Sequence, residues 1–214
     1  MKKVSVSFLG VEDNCYTIKK LNESSCDYIH FDVMDGKFVK NKFLTPKELA
    51  ALINLSKKKN DVHLMVDDPI KYIEELALLD VFNITVHCEI KDYIKYIDII
   101  KSYGFNAGVS IKPDTNILDI FPILDRVDLV LIMSVNPGAS GQKFIYDTEE
   151  KIKKLKQEIV SRGLNVKISV DGGINADVLK MVSLADVLVS SSFVLKDLNN
   201  IEVLKNVYEL VNKK

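Results

Sequence analysis

Short apolar runs and longer amphipathic stretches take turns along this chain, and that alternation constrains the fold more than any other feature. Strand-like runs fall at residues 4–8, 28–33, 62–65, 83–87, 107–111, 129–133, 166–170 and 187–189. Helix-like stretches lie between them at 14–23, 46–56, 69–79, 91–103, 115–124, 147–162 and 176–183, and another at 200–211 closes the chain. Strands separated by helices need crossover connections, so the pattern implies a parallel sheet. Eight such units in 214 residues match the number that closes into a (β/α)8 barrel. The expected organisation is one barrel domain over 1–214, with short loops. An open doubly wound sheet is the alternative. It would want a G-x-G-x-x-G turn after the first strand, where Phe8-Leu9-Gly10-Val11 has a single glycine.

Local signals agree with the alternation. Thr45-Pro46 and Asp68-Pro69 each place a capping residue before a proline at the first helical position. Asn175 is placed to cap a helix starting at Ala176, and Gly104 and Gly163 stand just past expected helix ends. The net charge of -1 offers no basic surplus for nucleic acid or a membrane surface. No run approaches the roughly 18 apolar residues of a membrane span, and Met1-Lys2-Lys3 leads into a strand rather than a signal-peptide core. Cys15, Cys26 and Cys88 form no C-x-x-C pair. They suit a reducing cytoplasm and are expected to pack as small buried hydrophobes.

The polar residues gather where a barrel keeps its chemistry, at the carboxyl ends of the strands. His30 lies on the second strand, His63 on the third, and His87 ends the fourth. Side chains alternate along a strand, so His30, Asp32 and Met34 share one face in "YIHFDVMDGKFV". A buried carboxylate needs a cation or a strong donor, so Asp32 needs a partner. His63 in "DVHLMV" and Asp171 in "SVDGGIN" come from walls that face each other across the barrel. Two histidines and two carboxylates converging near the axis suit Zn2+, Fe2+, Mn2+ or Co2+. The same four would also make a buried His/Asp hydrogen-bond network, with Met34, Met65 and Met133 as core filling.

A second group points to an anion. "SVNPGASGQKF" follows the sixth strand, Gly172-Gly173 follow Asp171, and Ser190-Ser191-Ser192 follow the eighth. Glycine lets backbone N–H groups approach an anion, and the last two loops are the usual phosphate site of a (β/α)8 barrel. N–H groups at a helix start can hold a phosphate with no basic side chain.

Four blocks, "HFDVMDGKFVKN", "DVHLMV", "MSVNPGASGQKF" and "VDGGI", stand in the order seen in ribulose-phosphate 3-epimerases, and the chain resembles that family along essentially its whole length. The resemblance implies a (β/α)8 TIM barrel of the ribulose-phosphate-binding type. It implies a metal-dependent isomerase of the pentose phosphate pathway that interconverts D-ribulose 5-phosphate and D-xylulose 5-phosphate through an enediolate. It makes His30, Asp32, His63 and Asp171 ligands of one divalent ion, with Asp32 and Asp171 also the acid/base pair. Ser7, His63, Met34, Met65 and Met133 are then expected around the sugar. Gly138, Ala139, Ser140 and Gly141 would meet the phosphate, with Gly172, Gly173, Ser191 and Ser192. His87 is expected to be structural or to sit behind the ligands. A homo-oligomer, dimer or hexamer, is also implied.

The chain departs from the family pattern at Ala139 and Ser140, at Ser191, and at Lys37 and Lys40 in "GKFVKN". These positions bear on substrate choice, which leaves a six-carbon phosphoketose such as D-allulose 6-phosphate as the alternative substrate. A metal-free decarboxylase barrel would carry D-x-K-x-x-D, and the nearest match here, Asp35 to Lys40, ends in lysine. A barrel that binds a sugar phosphate without turning it over is the remaining alternative.

Overall fold

The structure is a computed structural model that describes residues 2–206. Eight parallel strands close into a barrel: β1 (Lys3–Ser7), β2 (Tyr28–Asp35), β4 (Lys59–Met65), β5 (Asn83–His87), β6 (Asn106–Ile111), β7 (Leu129–Met133), β8 (Lys167–Asp171) and β9 (Val187–Ser190). Closure comes from β1, which pairs with β9 on one side and β2 on the other. The open doubly wound sheet is thereby excluded. A short strand absent from the expectations, β3 (Lys42–Phe43), folds back antiparallel on the end of β2, pairing Met34 with Phe43.

The helices are α1 (Asn14–Glu23), α2 (Pro46–Ile53), α3 (Ile70–Leu76), α4 (Tyr93–Ser102), α5 (Thr148–Ser161), α6 (Ser192–Lys196) and α7 (Asn200–Lys205). The start of α2 carries a complete capping box, with Thr45 and Glu48 each serving the other's backbone, worth about 1 kcal/mol. Among the described residues no helix is long and apolar enough to cross a membrane.

Several expected helices are altered. Residues 115–124 form a 3-10 helix, Ile117–Arg126, with Pro122 inside it. A proline lacks the N–H that an α-helix interior needs. The stretch 176–183 is helical only over Ala176–Val178, a 3-10 turn that Asn175 caps as expected, its side chain accepting from Asp177 N at 2.8 Å. Asp68 accepts from Ile70 N at 3.2 Å, so α3 begins after Pro69 rather than at it. The last expected helix is present as α7, and its remainder lies outside the described residues.

Strand alternation divides the apolar residues into two sets. Ile29, Phe31, Val33, Val62 and Leu64 point outward and join the helices in the main core. Each such side chain contributes about 1.5–3 kcal/mol on burial. Inside the barrel, Leu129, Leu131, Met133 and Val189 form a smaller apolar wall. Ser5, His30, Asp61, His63, Asn83 and Thr85 are buried on the other strands. The barrel interior is thus apolar on one side and densely polar on the other. Cys26 is buried as expected, but Cys15 is exposed on the outer face of α1 and Cys88 is intermediate.

Candidate functional site

Register brings the polar residues together. Pairing of β2 with β4 sets Asp32 beside His63 and His30 beside Asp61. Asp171 ends β8, three strands from β2 around the closed sheet. His30, Asp32, His63 and Asp171 each offer one donor atom, and the four atoms lie within 4.8 Å of one another. Asp32 Oδ1 is 3.5 Å from His30 Nε2 and 3.3 Å from His63 Nδ1. Two atoms each about 2.0–2.1 Å from a shared ion at a tetrahedral angle stand roughly 3.3–3.4 Å apart. His30 Nε2 is buried and has no hydrogen-bond partner. The spacing, the unpartnered nitrogen and the two-His, two-Asp chemistry fit a divalent cation.

His30, Asp32 and His63 are each held from behind. Ser7 Oγ donates to Asp32 Oδ2 at 2.7 Å, so this serine orients the carboxylate as well as lining the cleft. His30 Nδ1 lies 2.8 Å from Asp61 Oδ2. Asp61 also accepts from Ser5 Oγ and Asn83 Nδ2, both at 3.0 Å. His63 Nε2 lies 2.9 Å from His87 Nε2, and His87 Nδ1 lies 2.9 Å from Glu89 Oε2. Asp61 and Glu89 were not singled out by sequence reasoning. A sequence signal existed for each: Asp61 is two residues before His63 on the same strand face, and Glu89 is two residues after His87.

The electrostatics separate the two aspartates. Burial alone would raise Asp32, but His30 and His63 outweigh it and hold this carboxyl well below the usual range. Burial, with the Asp32 charge added, pushes Asp171 up to about 7. Burial opposes protonation of His30, yet the Asp32 and Asp61 charges prevail and raise it well above its ordinary value. Burial lowers His63, and lowers His87 to about 4.

Above the cluster lies a cleft. Asp32, Asp171, Met65 and Met133 form its floor, and residues 136–142 and 172–174 with Ser191 and Ser192 form its walls. Gly138, Ala139, Ser140, Gly141, Gly172 and Gly173 all line it. No arginine or lysine among the described residues does so. Gln142 Nε2 donates to Asn136 O at 2.7 Å and to Ala139 O at 2.9 Å, which braces the first loop. Met34 packs with Val39 and Met65 against Phe38 and Phe43. His63 is fully buried beside Asp32.

Gly172 and Gly173 have φ of +116° and +64°. A Cβ on Gly173 would stand 2.6 Å from Phe144 N and 3.0 Å from Gln142 O. Gly173→Ala is therefore expected to lose about 1–3 kcal/mol of stability from backbone strain, with more from the collision. Denaturant unfolding measures this, and an unchanged midpoint would contradict the geometry.

The sequence model of the Ribulose-phosphate 3 epimerase family matches residues 3–195. The chain is 38% identical over 195 residues to the chloroplastic ribulose-5-phosphate-3-epimerase of Arabidopsis thaliana, covering 89% of this chain and 69% of that one. It is 38% identical over 200 residues to the ribulose-phosphate 3-epimerase of Bacillus subtilis (strain 168), covering 91% and 92%. Among solved structures, KGPDC from Streptococcus mutans superposes with a TM-score of 0.71 at 13% identity, covering 99% of both chains. Phosphoribosyl anthranilate isomerase from Thermococcus kodakaraensis gives 0.66 at 13%, covering 100% of both. These two likenesses speak for the barrel alone.

Proposed function

This chain belongs to the ribulose-phosphate 3-epimerase family, and on that premise we propose that it epimerises D-ribulose 5-phosphate and D-xylulose 5-phosphate at C3, in the cytoplasm, with His30, Asp32, His63 and Asp171 holding one divalent ion. The observation that carries the reading is geometric: Asp32 and Asp171 line one cleft from different strands, and their donor atoms lie within 4.8 Å of those of His30 and His63. Asp32 is held ionised, while Asp171 is pushed up to about 7. Two titratable groups driven apart in this way have the character of a base and an acid.

The reaction removes the C3 proton beside the C2 carbonyl and returns one to the opposite face. Asp32 takes the proton on one side and Asp171 delivers one on the other; for the reverse substrate the two exchange roles. A carboxyl has two oxygens, so Asp171 can hold a proton on one while the other faces the cluster. When bound, a divalent cation supplies positive charge beside the enediolate oxygens; Zn2+, Fe2+, Mn2+ and Co2+ all suit the donor set. Met65 and Met133 give the planar intermediate an apolar wall with no exchangeable proton. Backbone N–H groups of the 138–141 loop and of Gly172-Gly173, with Ser191 and Ser192, hold the phosphate. α6 is only five residues long, so the hold rests on the turns rather than on a helix.

The test is an assay in D2O on D-ribulose 5-phosphate, following D-xylulose 5-phosphate and deuterium at C3, with D-allulose 6-phosphate as comparator. The expected result is faster turnover of the five-carbon sugar with one deuterium at C3. Preference for the six-carbon sugar would overturn the substrate, and product without deuterium would overturn the proton transfer. Sedimentation at a dimer or hexamer mass is expected from the same preparation.

A further inference from the structure

We infer that Glu89, acting through His87, is a positioning residue that keeps His63 in the tautomer able to bind the cation. The inference rests on the metal reading proposed above and adds two residues that touch neither the cleft nor the cluster's shared centre.

The argument is one of proton counting. His63 Nε2 and His87 Nε2 face each other at 2.9 Å. A contact this short holds one proton, so one ring donates and the other accepts. With both rings neutral, two arrangements are open. In the first, His87 carries its proton on Nδ1 and accepts at Nε2. His63 then carries its proton on Nε2, which leaves the Nδ1 lone pair facing Asp32. In the second, every proton sits on the opposite nitrogen, and His63 Nδ1 is blocked.

Glu89 decides between them. Its carboxylate has no proton to give: His87 and backbone donors outweigh burial and hold it down to about 2. Glu89 Oε2 lies 2.9 Å from His87 Nδ1, and a carboxylate at that distance requires an N–H on the ring. The second arrangement would set a lone pair against this oxygen, with nothing to relieve it. The first sets the His63 Nδ1 lone pair against Asp32 Oδ1 at 3.3 Å, the one mismatch that a shared cation removes.

Glu89 is itself fixed. Its Oε1 accepts from Lys112 N at 2.7 Å and from Thr115 Oγ1. Lys151 Nζ then donates to the carbonyls of Lys112, Pro113 and Thr115, tying that turn to α5. The far face of the relay is closed by Phe38, whose ring lies 4.6 Å from that of His87. Ligand histidines commonly donate their second N–H to a carboxylate, and His30 does so directly to Asp61. His63 reaches its carboxylate one imidazole further out.

The geometry sets an order among variants. In Glu89→Gln the amide oxygen must stay on the side of the fixed Lys112 N–H. The amide NH2 is then turned toward His87 Nδ1, which has to accept. The relay reverses, and His63 Nδ1 carries a proton into the cluster. Glu89→Ala removes the bias without reversing it.

Zn2+ affinity is measured by competition with a chromogenic chelator, on wild type and both variants, together with 15N NMR of the histidine rings. Glu89→Gln is expected to lose about 10–100-fold in Zn2+ affinity, Glu89→Ala distinctly less, and wild-type His87 to carry its proton on Nδ1. A merely structural glutamate would make the alanine variant at least as damaging as glutamine, and that order would overturn the relay. So would wild-type affinity in Glu89→Gln, or a His87 protonated on Nε2. If wild type takes up no Zn2+, the metal reading fails. In the metal-free protein the Glu89 contact at 2.9 Å is shorter than the Asp32 contact at 3.3 Å, so the His87 proton is expected on Nδ1 there too, and its position, which also stands if the variants do not fold, then decides the relay by itself.

Discussion

Replacing Asp171 with asparagine is expected to cut turnover by about 10²–10⁴-fold, the contribution of a positioned general acid or base, and to raise the melting temperature of the metal-free protein at pH 8. Both effects come from one fact, that Asp171 sits half-buried beside the Asp32 charge and is pushed from 3.8 up to about 7. Its carboxyl holds a proton at a pH where an unfolded chain has lost it. Between pH 3.8 and about 7 the native state binds more protons than the unfolded state, so stability falls as pH rises through that window. Above it, the native state carries the cost of a second, partly desolvated anion beside Asp32. Asparagine removes that cost and with it the proton that catalysis needs. Melting curves at pH 5 and pH 8 should therefore diverge, with the gain of the variant appearing at the higher pH. Near wild-type turnover would sink the two-aspartate mechanism. Equal gains at both pH values would sink the buried-charge account while leaving the mechanism standing.

Chelating the divalent ion is expected to abolish turnover, with Zn2+, Fe2+, Mn2+ or Co2+ restoring it. The affinity of the metal-free protein should also climb with pH. Without a cation, Asp32 and Asp61 outweigh burial and hold the His30 proton well above the ordinary histidine value. A cation must displace that proton to use Nε2, so protonation and metal binding compete. One displaced proton gives up to about tenfold in affinity for each pH unit. Chelator competition across pH 6–9 reads this slope. A flat profile would remove His30 from the ligand set. Turnover that survives exhaustive chelation would remove the metal from the reaction, whatever the four donors hold.

Much of this was legible along the chain. The runs at Asn83–His87 and Leu129–Met133 begin and end where the sequence pattern places them: in the first, Ile84 and Val86 alternate with polar residues buried inside the barrel, and the second is the continuous apolar segment of a strand buried on both faces. The common face of His30 and Asp32 follows from the two-residue strand period, and so does the outward direction of Phe31 and Val33. Helix ends were less legible where a side chain forms a competing local bond, as at Asp68, or where Pro122 interrupts the ladder. The depth of a residue was not legible at all. Met34 shares the face of His30 and Asp32, yet it packs into an apolar cluster with Val39 and Met65.

By itself the sequence determined the repeating unit, the strand faces and the identity of the donor groups, since these depend on periodicity and composition within a few residues. The tertiary structure alone decided which donors meet. Asp61 and His30, 31 positions apart, touch because β2 and β4 pair in one register, and a slip of one residue would turn every side chain on the strand to the opposite face. His63 reaches Glu89 through His87 because β5 lies beside β4. The separation of Asp32 from Asp171 in proton affinity likewise arises only on closure of the barrel, when burial and one shared set of histidines act on two carboxyls that are chemically identical in the unfolded chain.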